Sequence, residues 1–238
     1  LIQNKRVSYS SEQILPEITL LIAAYNEEDV VRQKMENTLN LNYPKDLLKV
    51  VWITDGSNDN TNVILSEYPD VIILHEALRK GKTSAINRAI QFIKSPIVVL
   101  SDSNTLLNKE AVIELVKPFS DKRVGCVAGE KRVSALEKDN ASSGGEGIYW
   151  KYESFLKIYD SRLYSVVGAA GELYAIRREL FEELRPDTLL DDFQISLSIA
   201  EKGYLVKYCR DAFATECGSL NIEEERKRKI RISAGGLQ

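Results

Sequence analysis

The chain has 238 residues, of which 44% are hydrophobic and 28% are charged. This balance is typical of a globular chain, and the length allows one large domain or two small ones. The net charge of -3 excludes the strongly basic character of nucleic-acid-binding domains. Three scattered cysteines, Cys126, Cys209 and Cys217, are too few for a disulfide framework or a zinc site, and favour a reducing, cytoplasmic compartment.

Neither a signal peptide nor an apolar run long enough to span a membrane is visible in the sequence. The chain begins at Leu1 without a methionine and ends at Gln238, just after a helical pattern. We therefore interpret it as a fragment of a longer protein, and the lack of a span within it says little about that parent.

Strand and helix patterns alternate through the first half of the chain. Short apolar runs predict buried strands at residues 18–24, 49–54, 71–74, 97–100 and 124–128. Amphipathic patterns predict helices at residues 28–39, 60–68, 83–93 and 108–119. The apolar faces of two of these helices are formed by Val31, Met35 and Leu39, and by Ile86, Ala89, Ile90 and Ile93. This alternation indicates a mostly parallel sheet that is covered by helices on both faces.

The second half is less regular. A polar loop is predicted at 134–147, an aromatic-rich helix at 148–164, a helix at 190–202, and strands at 205–208 and 212–215. We expect one α/β domain, residues 1–238, with a nucleotide-binding half at about 16–130 and an acceptor half at about 131–238.

Asp55 and Asp102 each follow a predicted strand. Because ligands bind beyond the carboxyl ends of parallel strands, both side chains are expected at one edge of the sheet. Asp55 could accept a hydrogen bond from a nucleobase, or it could belong to a polar turn that caps a helix. Asp102, with Asn104 two residues on, could hold a hard divalent cation, although Asp, Ser and Asn are also common in turns.

Two further motifs lie at predicted helix N-termini. Lys82 follows Gly81, an arrangement that suits a phosphate site but also occurs in solvated basic turns. Asp191 and Asp192 could simply complement a helix dipole. Adjacent carboxylates can also raise one another's pKa, which suits a general base.

These motifs are weak individually, but their order and spacing are specific. The chain resembles the family 2 glycosyltransferases, which include cellulose, chitin and hyaluronan synthases, from about residue 16 to 238. The resemblance is carried by residues 23–27 (AAYNE), 54–57 (TDGS), 81–82 (GK), 101–104 (SDSN), 168–177 (GAAGELYAIR), 190–192 (LDD) and 228–238 (RKIRISAGGLQ).

The resemblance implies a GT-A-type nucleotide-diphospho-sugar transferase fold and an inverting sugar transfer. It implies that Asp102 and Asn104 hold Mn2+ or Mg2+, and that Asp192, beside Asp191, is the general base. The expected nucleotide-binding residues are Ala23, Tyr25, Asn26, Glu27, Asp55, Gly81, Lys82 and Ser103. The residues expected on the acceptor and diphosphate side are Gly171, Glu172, Arg228 and Arg231.

The implied donor is a nucleotide-diphosphate sugar, with a UDP-sugar favoured, and the implied acceptor is a carbohydrate or a lipid-linked molecule. No nucleic-acid partner is expected. The parent protein is expected to be membrane-associated, with this domain on the cytoplasmic face.

Two departures from the family pattern affect these expectations. Asn104 stands where the usual metal motif has aspartate, so one ligand carries no charge. The Gln-x-x-Arg-Trp motif of processive members is reduced here to Arg231 within residues 228–232 (RKIRI), which argues against chain elongation.

Three other functions remain as alternatives. A receiver-type signalling domain would need an acidic pocket after the first strand and about half this length. A nucleotidyltransferase would need a glycine-rich phosphate loop after that strand, and residues 18–29 contain none. A nucleotide-sugar-binding module with weak or no catalysis is kept open by Asn104.

Overall fold

The structure is a computed structural model, and it describes residues 15–133, 159, 165–166, 168–169, 171–216, 230 and 234. Several predictions therefore lie outside the described residues: the loop at 134–147, nearly all of the helix at 148–164, and the C-terminal segment that contains Cys217, Arg228 and Arg231. In the part that is described, no helix has the length and apolarity that a bilayer span requires.

Within the described residues the strands form one eight-stranded sheet. The strands are β1 (Ile18–Ala24), β2 (Leu48–Asp55), β3 (Val71–Glu76), β4 (Ile97–Asp102), β5 (Thr105–Leu107), β6 (Val124–Val133), β7 (Leu173–Arg177) and β8 (Leu205–Glu216). The helices are α1 (Glu28–Leu39), α2 (Thr61–Leu65), α3 (Lys82–Phe92), α4 (Ala111–Val116) and α5 (Asp191–Glu201), with 3-10 turns at Lys117–Ser120 and Arg178–Leu180.

The strand order is β3-β2-β1-β4-β7-β6-β8-β5. The first four strands in this order are parallel, as predicted. β7 then pairs antiparallel with both β4 and β6, β6 pairs parallel with β8, and β8 pairs antiparallel with β5. The sheet is therefore parallel from β3 to β4 and mixed beyond β4.

Burial on both faces explains the continuous apolar runs of the central strands. In β1, Leu20 and Ile22 pack into a core that includes Met35 of α1, whereas Leu21 packs into a second core that includes Ile86 of α3. The predicted apolar face of α3 is confirmed, since Ile86, Ala89, Ile90 and Ile93 are all buried.

The predicted apolar face of α1 is wrong at one end. Leu39 is 54% exposed, and the buried stripe consists instead of Val31, Lys34, Met35 and Thr38. These four positions have the i, i+3, i+4, i+7 spacing of a single helical face. Two polar residues therefore lie on the side of α1 that faces the sheet.

Some boundaries also differ from the predictions. The short β5 and the antiparallel β7 were not predicted as strands. The two strands predicted at 205–208 and 212–215 are one strand, β8. The exposed residues 210–211 between them are accommodated by a shift in the pairing register with β6, between Ala128 and Glu130. The helix predicted at 60–68 is limited to α2.

The strand register fixes the edge at which the predicted site residues lie. Ala23 is opposite Asp102 and Ala24 is opposite Thr54, so β2 and β4 end side by side on either side of β1. Asp55 and Asp102 are the last residues of their strands. The expectation that both lie at one edge of the sheet is confirmed.

Candidate active site

The turn between β4 and β5 presents Asp102 at the edge of the sheet. Ser103 is buried, and the Glu27 carboxylate is hydrogen-bonded to it. Asn104 is half-buried in the same turn. The Asp102 side chain is 33% exposed, so its carboxylate is reachable from solvent.

These residues fit a divalent cation. A carboxylate and an amide two residues apart offer the oxygen ligands that Mg2+ and Mn2+ prefer. The described residues contain no group of three or more His, Cys, Asp or Glu side chains that could hold a metal ion by themselves. The arrangement therefore suits a cation that completes its shell with water and substrate oxygens.

Lys82, the first residue of α3, connects this turn to the start of α5. Its Nζ donates a 2.8 Å hydrogen bond to Asp102 Oδ1 and lies 3.5 Å from Asp191 Oδ2. Partial desolvation opposes the charged form, but the Asp102 and Asp191 carboxylates outweigh it and raise the pKa of Lys82. The sequence left a phosphate site and a solvated basic turn as alternatives for Lys82, and its ammonium lies between two carboxylates.

Asp191 and Asp192 begin α5, where acidic side chains complement the helix dipole. Asp191 is 9% exposed. The pKa of Asp192 is raised to about 6: burial and the neighbouring Asp191 and Glu172 charges raise it, and they outweigh the Phe193 backbone N–H and Lys82, which lower it. A carboxyl group with this pKa is ionised at neutral pH and remains basic enough to accept a proton.

Gly171 lies directly against Asp192. A Cβ atom at position 171 would be 3.0 Å from Asp192 Oδ2, a tighter approach than most side chains tolerate. The missing side chain therefore allows the loop before β7 to pass beside the carboxylate.

Asp55 is 4% exposed and is held by backbone donors. Its Oδ2 accepts 2.7 Å hydrogen bonds from the N–H groups of Lys80 and Gly81. Its Oδ1 is buried and has no hydrogen-bond partner among the described residues, although Arg88 Nη1 lies 3.6 Å away. Gly81 has a φ of 93°, which favours glycine at the residue that precedes α3.

The turn after β1 brings Tyr25, Asn26 and Glu27 to the same edge. Tyr25 is 38% exposed, and the Arg79 guanidinium lies 3.6 Å from the centroid of its ring. Asn26 exchanges two hydrogen bonds with Asn58, at 2.8 and 2.9 Å, and so joins the turns after β1 and β2. Burial raises the pKa of Glu27, and the nearby Asp102 charge adds to this shift.

Glu172 lies in a buried ion cluster. It is 8% exposed, and Lys131 of β6 donates a 2.8 Å hydrogen bond to its Oε1. Lys131 also pairs with Glu216 at the end of β8. Lys131 was not predicted from the sequence, because no local pattern distinguishes a lysine that pairs with carboxylates distant in sequence.

A small cavity joins several of the predicted residues. Its lining includes Ala23, Lys82, Asp102, Gly171 and Asp191. Tyr174 also lines it, and its buried hydroxyl has no hydrogen-bond partner among the described residues. The structure thus brings together predicted residues from β1, α3, β4 and α5, together with one tyrosine that the sequence did not indicate.

Comparisons with known proteins identify the family of the chain. The family described as Glycosyl transferase family 2 matches residues 19–185. The chain is 27% identical over 224 residues to "Probable glycosyltransferase YdaM" of Bacillus subtilis (strain 168), covering 85% of this chain and 51% of that protein. It is 26% identical over 245 residues to "Poly-beta-1,6-N-acetyl-D-glucosamine synthase" of Staphylococcus aureus (strain MSSA476), covering 98% of this chain and 57% of that protein.

Among solved structures, the chain is similar to the mannosyltransferase PcManGT from Pyrobaculum calidifontis in complex with GDP-Man and Mn2+. The TM-score is 0.81 at 26% identity, and the match covers 94% of this chain and 63% of that one. The chain spans about half the length of the curated relatives it matches. With a GT-A fold and a family match over most of its length, the chain belongs to glycosyl transferase family 2.

Proposed function

We propose that the chain is the catalytic domain of an inverting glycosyltransferase that moves a sugar from a UDP-sugar to an acceptor hydroxyl, with a divalent cation and with Asp192 as general base. The observation that carries this proposal is the convergence of Asp55, Lys82, Asp102 and Asp192 at one edge of the sheet. Family membership supports the reaction class.

The hydrogen bonding of Asp55 supports uracil as the donor base. One carboxylate oxygen, Oδ2, already accepts hydrogen bonds from two backbone N–H groups. The other, Oδ1, has no hydrogen-bond partner among the described residues, and its nearest cation is Arg88 Nη1 at 3.6 Å. Uracil presents one N–H, whereas guanine presents two adjacent N–H donors that a carboxylate would satisfy with both oxygens. A single oxygen without a hydrogen bond therefore matches uracil better, although the similar mannosyltransferase binds GDP-Man.

The exposed carboxylate of Asp102 and the amide of Asn104 are the proposed ligands of Mn2+ or Mg2+. When bound, such a cation neutralises the charge that develops on the diphosphate leaving group. The Mn2+ in the similar mannosyltransferase complex supports a divalent cation. Lys82 adds a positive charge next to the same position and is 41% exposed, so a phosphate oxygen can approach it.

In the proposed reaction, the acceptor oxygen attacks the anomeric carbon as its proton passes to the Asp192 carboxylate. The bond from that carbon to the phosphate oxygen breaks, and its electron pair leaves with the UDP. A single displacement of this kind inverts the anomeric centre. Asp191 is the proposed tuning residue, since its charge helps to keep Asp192 basic.

The test is donor turnover with the 238-residue chain. UDP-sugars and GDP-mannose are supplied with Mn2+ or with EDTA, and release of the nucleoside diphosphate is measured. We expect turnover of a UDP-sugar that requires the metal. Metal-dependent binding without any donor hydrolysis would favour the nucleotide-sugar-binding module instead, and a preference for GDP-mannose would refute the argument from Asp55.

We also propose that the whole protein is membrane-associated, with this domain on the cytoplasmic face. The support is the family resemblance, since members with a similar C-terminal segment are often joined to membrane spans. The basic side chains at 226–229 and 231, which lie outside the described residues, would then contribute about 1 kcal/mol per charge near anionic lipid. Recovery of the full-length protein in the soluble fraction without detergent would refute this proposal.

A further inference from the structure

Lys34 is a fully buried lysine, and the proposed reaction makes no use of it. Lys34 is 0% exposed and lies on the buried face of α1, which packs against the sheet. Its Nζ donates 2.7 Å hydrogen bonds to Ser101 Oγ and to the Thr105 carbonyl, and lies 3.5 Å from Thr105 Oγ1. Burying an amino group is costly unless its donors are satisfied, so its presence under the sheet edge requires an explanation.

The partners of Lys34 flank the proposed metal turn. Ser101 immediately precedes Asp102, and Thr105 immediately follows Asn104. The Thr105 hydroxyl in turn donates a 3.0 Å hydrogen bond to the Asp102 carbonyl. The contacts of Lys34 therefore converge on both ends of the segment that carries the proposed ligands.

Strand pairing does not join the two arms of this turn. Among the described residues, β4 pairs with β1 and β7, whereas β5 pairs with β8 at the far end of the strand order. Side chains join the arms instead: Lys34 of α1 contacts both, and Thr105 Oγ1 lies 3.3 Å from Ser101 Oγ. One turn after Lys34, Asn37 exchanges two 2.8 Å hydrogen bonds with the backbone of Leu107, the last residue of β5.

We propose that Lys34 is a positioning residue that holds the Asp102–Ser103–Asn104 turn in the geometry that binds the divalent cation. This inference rests on the proposed function of that turn. Replacement of a residue that orients a metal ligand without binding the metal usually weakens metal affinity by about 10–100-fold. A purely structural role would change the stability of the domain and leave the metal affinity of the folded protein unaltered.

The test compares Lys34→Met with Arg32→Met. Both variants lose one positive charge from α1, but Arg32 is exposed and pairs with Glu67, away from the turn. Mn2+ is titrated by calorimetry into each protein saturated with UDP, and UDP is titrated separately in EDTA. We expect Lys34→Met to bind Mn2+ at least about tenfold more weakly and Arg32→Met to bind it like the wild type. UDP affinity in EDTA should be the same in all three proteins, because Asp55 is held by the backbone of residues 80 and 81.

A folded Lys34→Met protein with wild-type Mn2+ affinity would overturn the inference. If Lys34→Met does not fold, Ser101→Ala replaces it, since this change removes one Lys34 acceptor and leaves the lysine in place; it should weaken Mn2+ binding at least about threefold. Wild-type affinity in Ser101→Ala would then overturn the inference. Failure of the wild-type chain to bind UDP and Mn2+ together would instead refute the proposed function, and this inference with it.

Discussion

Replacement of Asp192 by asparagine is the most direct test of the proposed base. Asparagine keeps the shape of the side chain and removes its basicity. Because the pKa of Asp192 is about 6, about 97% of the carboxylate is ionised at about pH 7.5 and about 10% at about pH 5. Loss of a positioned base costs about 10²–10⁴-fold in rate, which corresponds to about 3–5 kcal/mol of barrier.

The assay measures turnover at saturating UDP-sugar and Mn2+ across about pH 5–8. The wild type should lose about tenfold in rate for each pH unit well below 6, because only the ionised carboxylate accepts the proton. Asp192→Asn should lose at least about 100-fold in turnover rate at about pH 7.5. Its rate should no longer fall as the pH is lowered below about 6; this fall is the acidic limb of the pH–rate profile. Asp187→Asn is the matched control, since Asp187 is exposed and pairs with Arg185 in the loop before α5.

Stability measurements separate loss of the base from loss of the fold. The pKa of Asp192 is raised from its ordinary 3.8 to about 6 in the folded protein, so the free energy of unfolding falls as the pH rises from 3.8 to about 6, and the full cost of the buried charge is present above that range. Asp192→Asn should therefore maintain or raise Tm at about pH 7.5, and should leave UDP affinity intact. Turnover above about a tenth of the wild-type rate, a loss worth less than about 1.4 kcal/mol, would show that the base lies elsewhere.

Three further substitutions test the surrounding residues. Asp55→Ala should weaken UDP binding at least about tenfold without unfolding the domain, because it removes the proposed base contact; unchanged affinity in calorimetry would exclude Asp55 from the pocket. Asn104→Asp adds a charged ligand and should tighten Mn2+ binding in the presence of UDP; unaltered metal dependence would identify Asn104 as a turn residue only. Asp191→Asn removes a like charge and should move the acidic limb of the rate to lower pH, with less than about a tenfold loss at about pH 7.5; an unmoved limb would contradict its tuning role.

The parallel part of the fold could be predicted because its signals are local. An apolar run such as Ile18–Ala24 is buried on both faces, so its composition alone indicates a central strand. In the sequence, each strand ends where polar residues begin. The carboxyl ends of parallel strands lie at the same edge of the sheet. For this reason the common location of Asp55 and Asp102 followed from the sequence.

The rest depends on contacts between residues distant in sequence. β7 is a five-residue strand, and its antiparallel place between β4 and β6 is set by tertiary pairing. Lys34 lies at a position of the buried stripe of α1, but a lysine in a sequence is normally interpreted as exposed to solvent. Its hydrogen-bond partners are 67 and 71 residues away, so only the structure shows that it is buried. The ion pair of Lys131 with Glu172 joins two elements in the same way.

Lys82 shows how the residues at the sheet edge are connected. A basic residue at the start of a helix indicates a phosphate site, and the structure shows the same ammonium between Asp102 at the end of β4 and Asp191 at the start of α5. The observed carboxylate contacts are compatible with a phosphate contact, because an exposed lysine can exchange one carboxylate partner for a phosphate oxygen and keep its charge neutralised. Lys82 also lowers the pKa of Asp192, so any movement of its charge changes the proposed base. In the proposed reaction, a donor phosphate that moves the Lys82 ammonium would therefore also change the pKa of Asp192.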